Sequence, residues 1–445
     1  MTHSTYQQKK QDLSAQLRHS TEAVRLEKAT SNLFRTRGTA GVSKLDVSSL
    51  NQVLAVDTEN QVVEVEGMTT YERLADACLQ QHCMPLVVPQ LKSITIGGAV
   101  SGIGIESSSF RHGLPHESVS SMDILLADGE VVTCTPENEH SELFFGIPNS
   151  YGTLGYILKL SARTMPVKPF VELRHYRYTD IDDYFYAVNE ASKSDVDFID
   201  GSIVNDRELY LTLARFTDTA PYTSDYTWLK MFFRSIRERS EDYLSVHDYI
   251  WRWDTDWFWC SKNLFVQNLP MRLILGRRLL NSISYQKVMR WNNRVGFTAF
   301  INKLLDRHPE GIVQDVDIPI EKAPDFLRFF VDEIGIHPVW MCPIGGHDPT
   351  RRYPLYPLHG DGLFINFGFW DIVPNPDKHE SGYFNRKIEA KVSQLGGVKS
   401  LYSDAYYDED TFWQLYDGEQ YFKLKQRYDP QGRLKNLYQK CVLKQ

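Results

Sequence analysis

Ser93-Ile94-Thr95-Ile96-Gly97-Gly98-Ala99-Val100-Ser101-Gly102-Ile103-Gly104-Ile105-Glu106-Ser107-Ser108-Ser109 begins as a short apolar run, then places four glycines within eight residues, followed by an acid and three hydroxyls. Glycine lets a backbone turn tightly and come close to a ligand, so that its N–H groups can face a phosphate or a flat ring. A Rossmann turn would need Gly-x-Gly-x-x-Gly between a strand and a helix. The spacing here differs, and Glu106 to Gly113 does not read as the first turns of a helix. The stretch is expected to be a cofactor loop of another kind.

The flanking sequence gives that loop its setting. Val53 to Asp57 and Val62 to Gly67 are β-branched runs, and Thr70 to His82 has helical spacing. Met84 to Pro89 leads back to a strand, and Ser121 to Cys134 reads as a hairpin turning at Asp128-Gly129. Glu142 to Gly146 then leads to Gly152-Thr153-Leu154-Gly155-Tyr156-Ile157-Leu158. This order, with Ile94-Thr95-Ile96-Gly97-Gly98 and Met122-Asp123-Ile124-Leu125-Leu126-Ala127-Asp128-Gly129-Glu130, resembles the FAD-binding domain of the vanillyl-alcohol oxidase / p-cresol methylhydroxylase (PCMH) superfamily.

A closer resemblance covers most of the chain. Gly102 to Leu114, Leu126 to Pro136, His337-Pro338-Val339-Trp340-Met341-Cys342-Pro343-Ile344 and Leu401 to Tyr421 are similar to the Δ24-sterol reductase family. Lys28 to Arg35 looks more like bacterial flavoprotein relatives, among them reductases of methylene-branched fatty acyl chains. The resemblance implies an α+β fold: a two-subdomain FAD-binding domain of PCMH type and an α+β cap, or substrate, domain with an antiparallel sheet. It divides the chain into a lead-in (1–21), the FAD domain (22–168), the cap (169–400) and a segment returning to the FAD domain (401–445). The implied activity is reduction of a carbon–carbon double bond in a lipid, sterol or fatty acyl, with NADPH as hydride source and FAD as cofactor. Reduction of a methylene-branched acyl chain in phospholipid, oxidation of an alcohol or 2-hydroxy acid, and flavin or lipid binding without turnover are the alternatives.

Composition narrows the classes. A length of 445 residues allows two or three domains. A net charge of −8, with no run of five like charges, argues against nucleic acid as the main partner. Six cysteines form no Cys-x-x-Cys pair, which fits buried thiols in a reducing compartment. Met1 to Gln8 is polar, and no eighteen apolar residues run together, so neither a signal peptide nor a spanning helix is expected. The sterol reductases carry an amino-terminal membrane anchor that has no counterpart here, and the expectation is a cytoplasmic protein that meets lipid at a surface.

For the cofactor, the matching positions are Thr30, Ser31, Asn32 and Leu33 in a first phosphate loop without glycine. They continue with Ile96, Gly97, Gly98, Gly102, Gly104, Ile105, Glu106, Ser107, Ser108 and Gly113, then Gly152, Gly155, Ile157 and Asn436. Glu106, Ser107 and Ser108 are expected near the isoalloxazine or the ribityl chain; the plain alternative is a polar loop capping itself. No His lies between His19 and His82 and no Cys precedes Cys78, so FAD is expected to be held without a covalent bond. No metal site is expected, because His337, His347 and His359 lack ligand spacing. His112 and His116 read as supporting or surface residues.

Reducing an isolated alkene also needs an acid. Tyr402, Asp404 and Tyr407, with Tyr406, are the candidates; the alternative is a strand that alternates aromatics into a core. Val204 to Phe216 and Leu363 to Trp370 read as strands and Ala323 to Ile334 as a helix. Trp251 to Trp291 interleaves tryptophans and leucines with Arg252, Lys262, Arg272, Arg277, Arg278, Lys287 and Arg290. That pattern suits peripheral contact with an anionic membrane, or an amphipathic cap element packed on the protein.

Overall fold

The computed structural model describes residues 2–19, 24–27, 43–346, 348, 350–358 and 362–445. Thr30, Ser31, Asn32 and Leu33, with His347 and His359, lie outside the described residues. A helix, Thr2–His19, precedes a short parallel pair, β1 (Val24–Glu27) and β2 (Ser43–Asp46). β3 (Val53–Asp57), β4 (Val62–Glu66), β5 (Cys83–Pro85), β6 (Val119–Leu125), β7 (Val131–Cys134) and β8 (Tyr156–Pro166) then build the first sheet. Its order is β3-β4-β8-β6-β7, all antiparallel, with β5 also pairing β8. The expected hairpin is present: β6 and β7 are joined through Gly129, at φ +89°.

Two glycines hold this sheet to the segment that decides the fold. Gly97 N–H donates to the Gly67 carbonyl at 2.9 Å, and a Cβ on Gly97 would stand 2.6 Å from that oxygen. Gly155, at φ +147°, starts β8 where a Cβ would meet Ile124 at 2.6 Å. Only glycine permits either approach. The expectation of an irregular loop is corrected in part, because Ile96–Gly102 is a two-turn helix capped by Thr95, whose hydroxyl accepts from Gly98 N–H at 3.2 Å. Its glycines let this helix lie close against Gly67 at the sheet end and against the Tyr151 ring, and that packing outweighs glycine's low helix propensity. Ser109–His112 is a further single helical turn.

The second sheet comprises β9 (Phe170–Tyr178), β10 (Phe198–Asn205), β11 (Glu208–Thr217), β12 (Glu241–Ser245), β13 (Glu310–Pro319), β14 (Val339–Ile344), β15 (Phe364–Val373) and β16 (Val398–Lys399). It is antiparallel, in the order β12-β9-β11-β10-β14-β15-β13-β16. The single strand expected over Val204 to Phe216 is instead the end of β10, a turn at Asp206-Arg207, and β11. Strand alternation divides the sheet's faces. Ile312, Val316 and Ile318 of β13 and Ile365, Phe367 and Phe369 of β15 pack with the helices Ile181–Ser192, Ala323–Glu333 and Tyr383–Gln394. The intervening residues Val313, Asp315 and Trp370, with Trp340 of β14, look the other way, into a cavity.

The carboxyl-terminal block is not the strand considered above. Residues 400–408 are irregular and lead into helices Glu409–Leu415, Gly418–Tyr428 and Leu437–Cys441. The chain turns at Gly432 (φ +64°), and Arg433 then donates to the carbonyls of Ala127 at 2.6 Å and Leu17 at 3.1 Å. The tail is thereby tied to the β6–β7 turn and the first helix.

Candidate functional site

Between the two sheets the described residues enclose a cavity of about 1590 Å³. Sites for one small molecule run to roughly 300–1,000 Å³, so this one has room for two occupants. Gly97, Gly98, Gly102, Gly104, Ile105, Glu106, Gly152, Gly155 and Ile157 all line it, as do Tyr402 and Asp404. Residues that sequence alone connects only by order thus meet around one cavity.

Other expected site residues are engaged elsewhere. Ile96 is in the core, and Asn436 caps the last helix by accepting from Gln439 N–H at 2.7 Å. Ser107 donates to Glu106 Oε1 at 2.7 Å, and Ser108 donates to the Leu86 carbonyl at 2.7 Å. Gly113, at φ +68°, closes the Ser109–His112 turn. Tyr407 is buried beside Tyr416, away from the cavity wall. His116 is buried edge-on to Tyr353 at 4.3 Å, where desolvation pushes its pKa down to about 3. These are supporting positions, held by packing and local hydrogen bonds.

The opposite wall is aromatic. Trp257 and Phe258 are consecutive residues in the left-handed region, at φ +43° and +56°, and both rings face the cavity. Two bulky residues in that conformation are costly, and such strain collects at functional sites. Phe258 lies 4.6 Å from Trp370 and 5.6 Å from Trp340, centroid to centroid. Trp251, Trp253 and Trp259 are buried behind this wall. Of the two readings of Trp251 to Trp291, membrane contact or packing on the protein, packing therefore holds for these three tryptophans: they are core. Arg272 is likewise buried, paired with Asp256, with its Nε donating to the Trp228 carbonyl at 2.6 Å.

Asp315 is the residue the sequence reading missed. It faces the cavity from β13, opposite Gly368, where a Cβ would stand 2.6 Å from Asp315 Oδ1. The missing side chain at 368 thus makes room for the carboxyl. Oδ1 is buried and has no hydrogen-bond partner among the described residues. The Tyr402 hydroxyl hydrogen-bonds with the Asp315 carboxyl and accepts from Trp370 Nε1 at 2.9 Å. Burial, reinforced by the nearby Asp317 carboxylate, pushes the Asp315 pKa up to about 8. Burial also pushes Asp317, to about 6, although it accepts from Tyr356 Oη at 2.5 Å and Asn366 Nδ2 at 2.8 Å. Near pH 7 the cavity therefore holds a neutral carboxylic acid. The only sequence trace was a period-two strand, Ile312 to Ile318, interrupted by two acids.

Glu106 connects the glycine segment to the second sheet. The buried Arg252 guanidinium donates to Asp200 Oδ2 at 2.7 Å and Glu106 Oε1 at 3.1 Å, one cation between two acids. Desolvation raises the Glu106 pKa against the pull of Arg252, and Glu106 Oε2 is buried with no hydrogen-bond partner among the described residues. Arg252 thus fixes the orientation of the carboxyl on the cavity wall.

These residues fit a flavin dinucleotide. Both polar atoms of the Gln90 amide are buried at the wall with no partner among the described residues. A primary amide offers one donor and one acceptor side by side, the complement of the imide edge of an isoalloxazine. Buried polar atoms are seldom left unpaired, so this amide points to a ligand. Where β1, β2 and the carboxyl-terminal tail meet the cavity, Arg25, Lys44, Lys435 and Lys440 line it, Lys44 paired with Glu27 at 2.9 Å, and the remaining positive charge suits a pyrophosphate.

Comparisons with known proteins agree with this geometry. The FAD_binding_4 family, an FAD binding domain, matches residues 8–135. Delta(24)-sterol reductase of Homo sapiens is 27% identical over 407 residues, 88% of this chain and 76% of that protein. The enzyme of the same name from Pisum sativum is 24% identical over 438 residues, 89% and 76%. Cytokinin dehydrogenase 10 of Oryza sativa subsp. japonica is 28% identical over only 159 residues, 35% of this chain and 29% of that protein. Similarity to the sterol reductases thus runs well beyond the FAD binding domain over most of the chain, which is an FAD-dependent oxidoreductase similar to the Delta(24)-sterol reductases.

Proposed function

We propose that this protein reduces an isolated carbon–carbon double bond in a lipid, with NADPH as the hydride source. One observation carries the reading: a neutral acid, Asp315, stands in an aromatic-walled cavity that also contains the glycine segment of the FAD domain. FAD, when bound, supplies the hydride chemistry that no side chain offers. The chain's residues do the rest. Trp257, Phe258, Trp340 and Trp370 bind the apolar chain and exclude water. Asp315 Oδ1 delivers the proton to the second alkene carbon, while Tyr402 and Trp370 orient the carboxyl. An isolated alkene needs a proton at the carbon that does not receive hydride, and a carboxyl that keeps its proton near pH 7 can supply it.

In this proposal residues 22–168 hold the cofactor non-covalently, 169–400 form the substrate cap, and 401–445 return to close the site. The relatives that match most of the chain are named as sterol reductases, which favours a sterol side chain. The likeness of Lys28 to Arg35 to bacterial flavoproteins favours a methylene-branched acyl chain as the second reading. The test is anaerobic: protein reduced with NADPH is mixed with a panel of sterols and unsaturated acyl lipids, and products are read by mass for a gain of two hydrogens. Saturation of one lipid class selects the substrate. Absorbance that NADPH does not bleach, or bleached protein that reduces no member of the panel, would overturn the reading.

A further inference from the structure

The buried tryptophans leave the second half of the Trp251 to Trp291 region with a different character. Helix Leu269–Leu279 is anchored by Arg272, whereas Leu273 and Ile274 point outward, Ile274 at 76% exposure. Helix Ser282–Val295 is anchored by Ser282, bonded to Asp254, and by Tyr285 Oη, which donates to the Thr255 carbonyl at 2.6 Å. Away from that anchored face it presents Val288, Trp291 and Val295 to solvent, at the i, i+3, i+7 spacing of a helical stripe. Phe300 and Leu304, 66% and 74% exposed, continue the surface on helix Phe297–Leu304. Phe265, Val288 and Trp291 are exposed and also line the cavity, so this apolar surface borders its mouth.

Charge separates this surface from the rest of the protein. Residues 257 to 305 contain eight Lys and Arg and no Asp or Glu, whereas the remainder of the chain has 41 basic and 57 acidic residues. Lys287 and Arg294 flank the Val288–Trp291–Val295 stripe on helix Ser282–Val295, and Arg278 is exposed at the end of the preceding helix. Apolar side chains spread over three helices, with basic groups beside them, fit a bilayer interface rather than a concave protein groove. A second copy is a poor occupant, because a two-fold contact would set one acid-free segment against another.

We infer that this face docks on an anionic lipid bilayer, so that the cavity opens directly onto the membrane from which its substrate is drawn. Basic groups near an anionic surface give attraction, and inserted Phe265, Ile274, Trp291 and Phe300 add an apolar contribution. The purpose given to the docking rests on the lipid reading above; the docking itself does not.

Flotation of the FAD-loaded full chain with vesicles tests it, using phosphatidylcholine with or without phosphatidylglycerol. Binding is expected to the anionic vesicles at low salt and to be lost at high salt. The combined change Arg278→Gln, Lys287→Gln and Arg294→Gln should weaken it on the order of a hundredfold, since each charge accounts for roughly fivefold. Leu273→Ser with Ile274→Ser should weaken it through the apolar contribution, and both variants should keep the flavin spectrum and melting temperature of the parent. No binding to anionic vesicles at low salt, or equal binding by the triple variant, would overturn the inference. So would a dimer in solution that Leu273→Ser with Ile274→Ser dissociates, which would assign the face to a second copy. Turnover of detergent-dispersed lipid by the same preparation keeps the two claims apart. Docking without turnover refutes the lipid reading, and turnover without docking refutes the surface.

Discussion

Asp315→Asn tests the proposed proton donor, and it does so with two independent measurements. The substitution keeps the shape of the side chain between Gly368 and Tyr402 but removes the acidic proton. General acids contribute typically 10²–10⁴-fold to rate, so the lipid-reducing half-reaction should slow by about that much. Reduction by NADPH needs no proton from Asp315 and should keep its rate. Stability gives the second measurement. The pKa of Asp315 is about 8 in the folded protein and about 3.9 in an unfolded chain. Between those values the folded state holds a proton that the unfolded state has released. Stability contributed by this group therefore falls as pH rises through the window, by about 1.4 kcal/mol per unit, and the loss is complete above the folded pKa. Between pH 6 and pH 8 the parent should lose about 2 kcal/mol that the Asn variant does not. Stopped-flow absorbance under anaerobic conditions measures the first effect, and urea unfolding at several pH values the second. An Asn variant with parental lipid turnover would refute the chemical role. Parallel pH–stability curves for the two proteins would refute the buried neutral acid itself.

Gln90→Leu should stabilise the FAD-free protein by about 1–3 kcal/mol, because it removes an unpaired buried amide, yet weaken FAD binding about tenfold or more; melting curves and FAD titration would show the opposed signs, and unchanged affinity would remove Gln90 from the site. Arg252→Met should destabilise by roughly 3–5 kcal/mol, since it leaves Glu106 and Asp200 buried together without their cation, and the loss should shrink as pH falls and the carboxyls take up protons; denaturant midpoints at two pH values check this. Gly97→Ala forces a methyl against the Gly67 carbonyl oxygen, so a cost of about 1–3 kcal/mol is expected, with reduced flavin per chain read from absorbance. Acid precipitation should release all yellow colour into the supernatant; colour kept by the pellet would show a covalent bond.

Local sequence carried a great deal of this protein. Glycines at 97 and 155 sit where an added Cβ would stand 2.6 Å from the Gly67 carbonyl oxygen or from the Ile124 side chain, and that steric demand is written in residue type alone. The Asp128-Gly129 turn, the strand at Phe364 and the helix at Ala323 follow from turn chemistry and periodicity, which act over a few residues. What local rules could not supply was the set of partners from distant segments. Ile96–Gly102 is helical because the sheet end at Gly67 and the Tyr151 ring close around it, against its own glycine-rich propensity. Trp253 and Trp259 looked interfacial beside their arginines, yet Arg252 and Arg272 are drawn inward by Asp200, Glu106 and Asp256, and the rings follow them into the core. Asp315 showed least of all. A carboxyl on an alternating strand reads as solvent-facing until β15 places a glycine opposite it and Tyr402 arrives from nearly ninety residues away. Its proton is kept by desolvation and by Asp317, and desolvation is a property of everything packed around a group. Sequence thus determined the cofactor domain and its glycine contacts, because those depend on residue type and short-range sterics. Tertiary structure decided the acid, the aromatic wall and the outward face, because burial and long-range pairing exist only once the chain has folded.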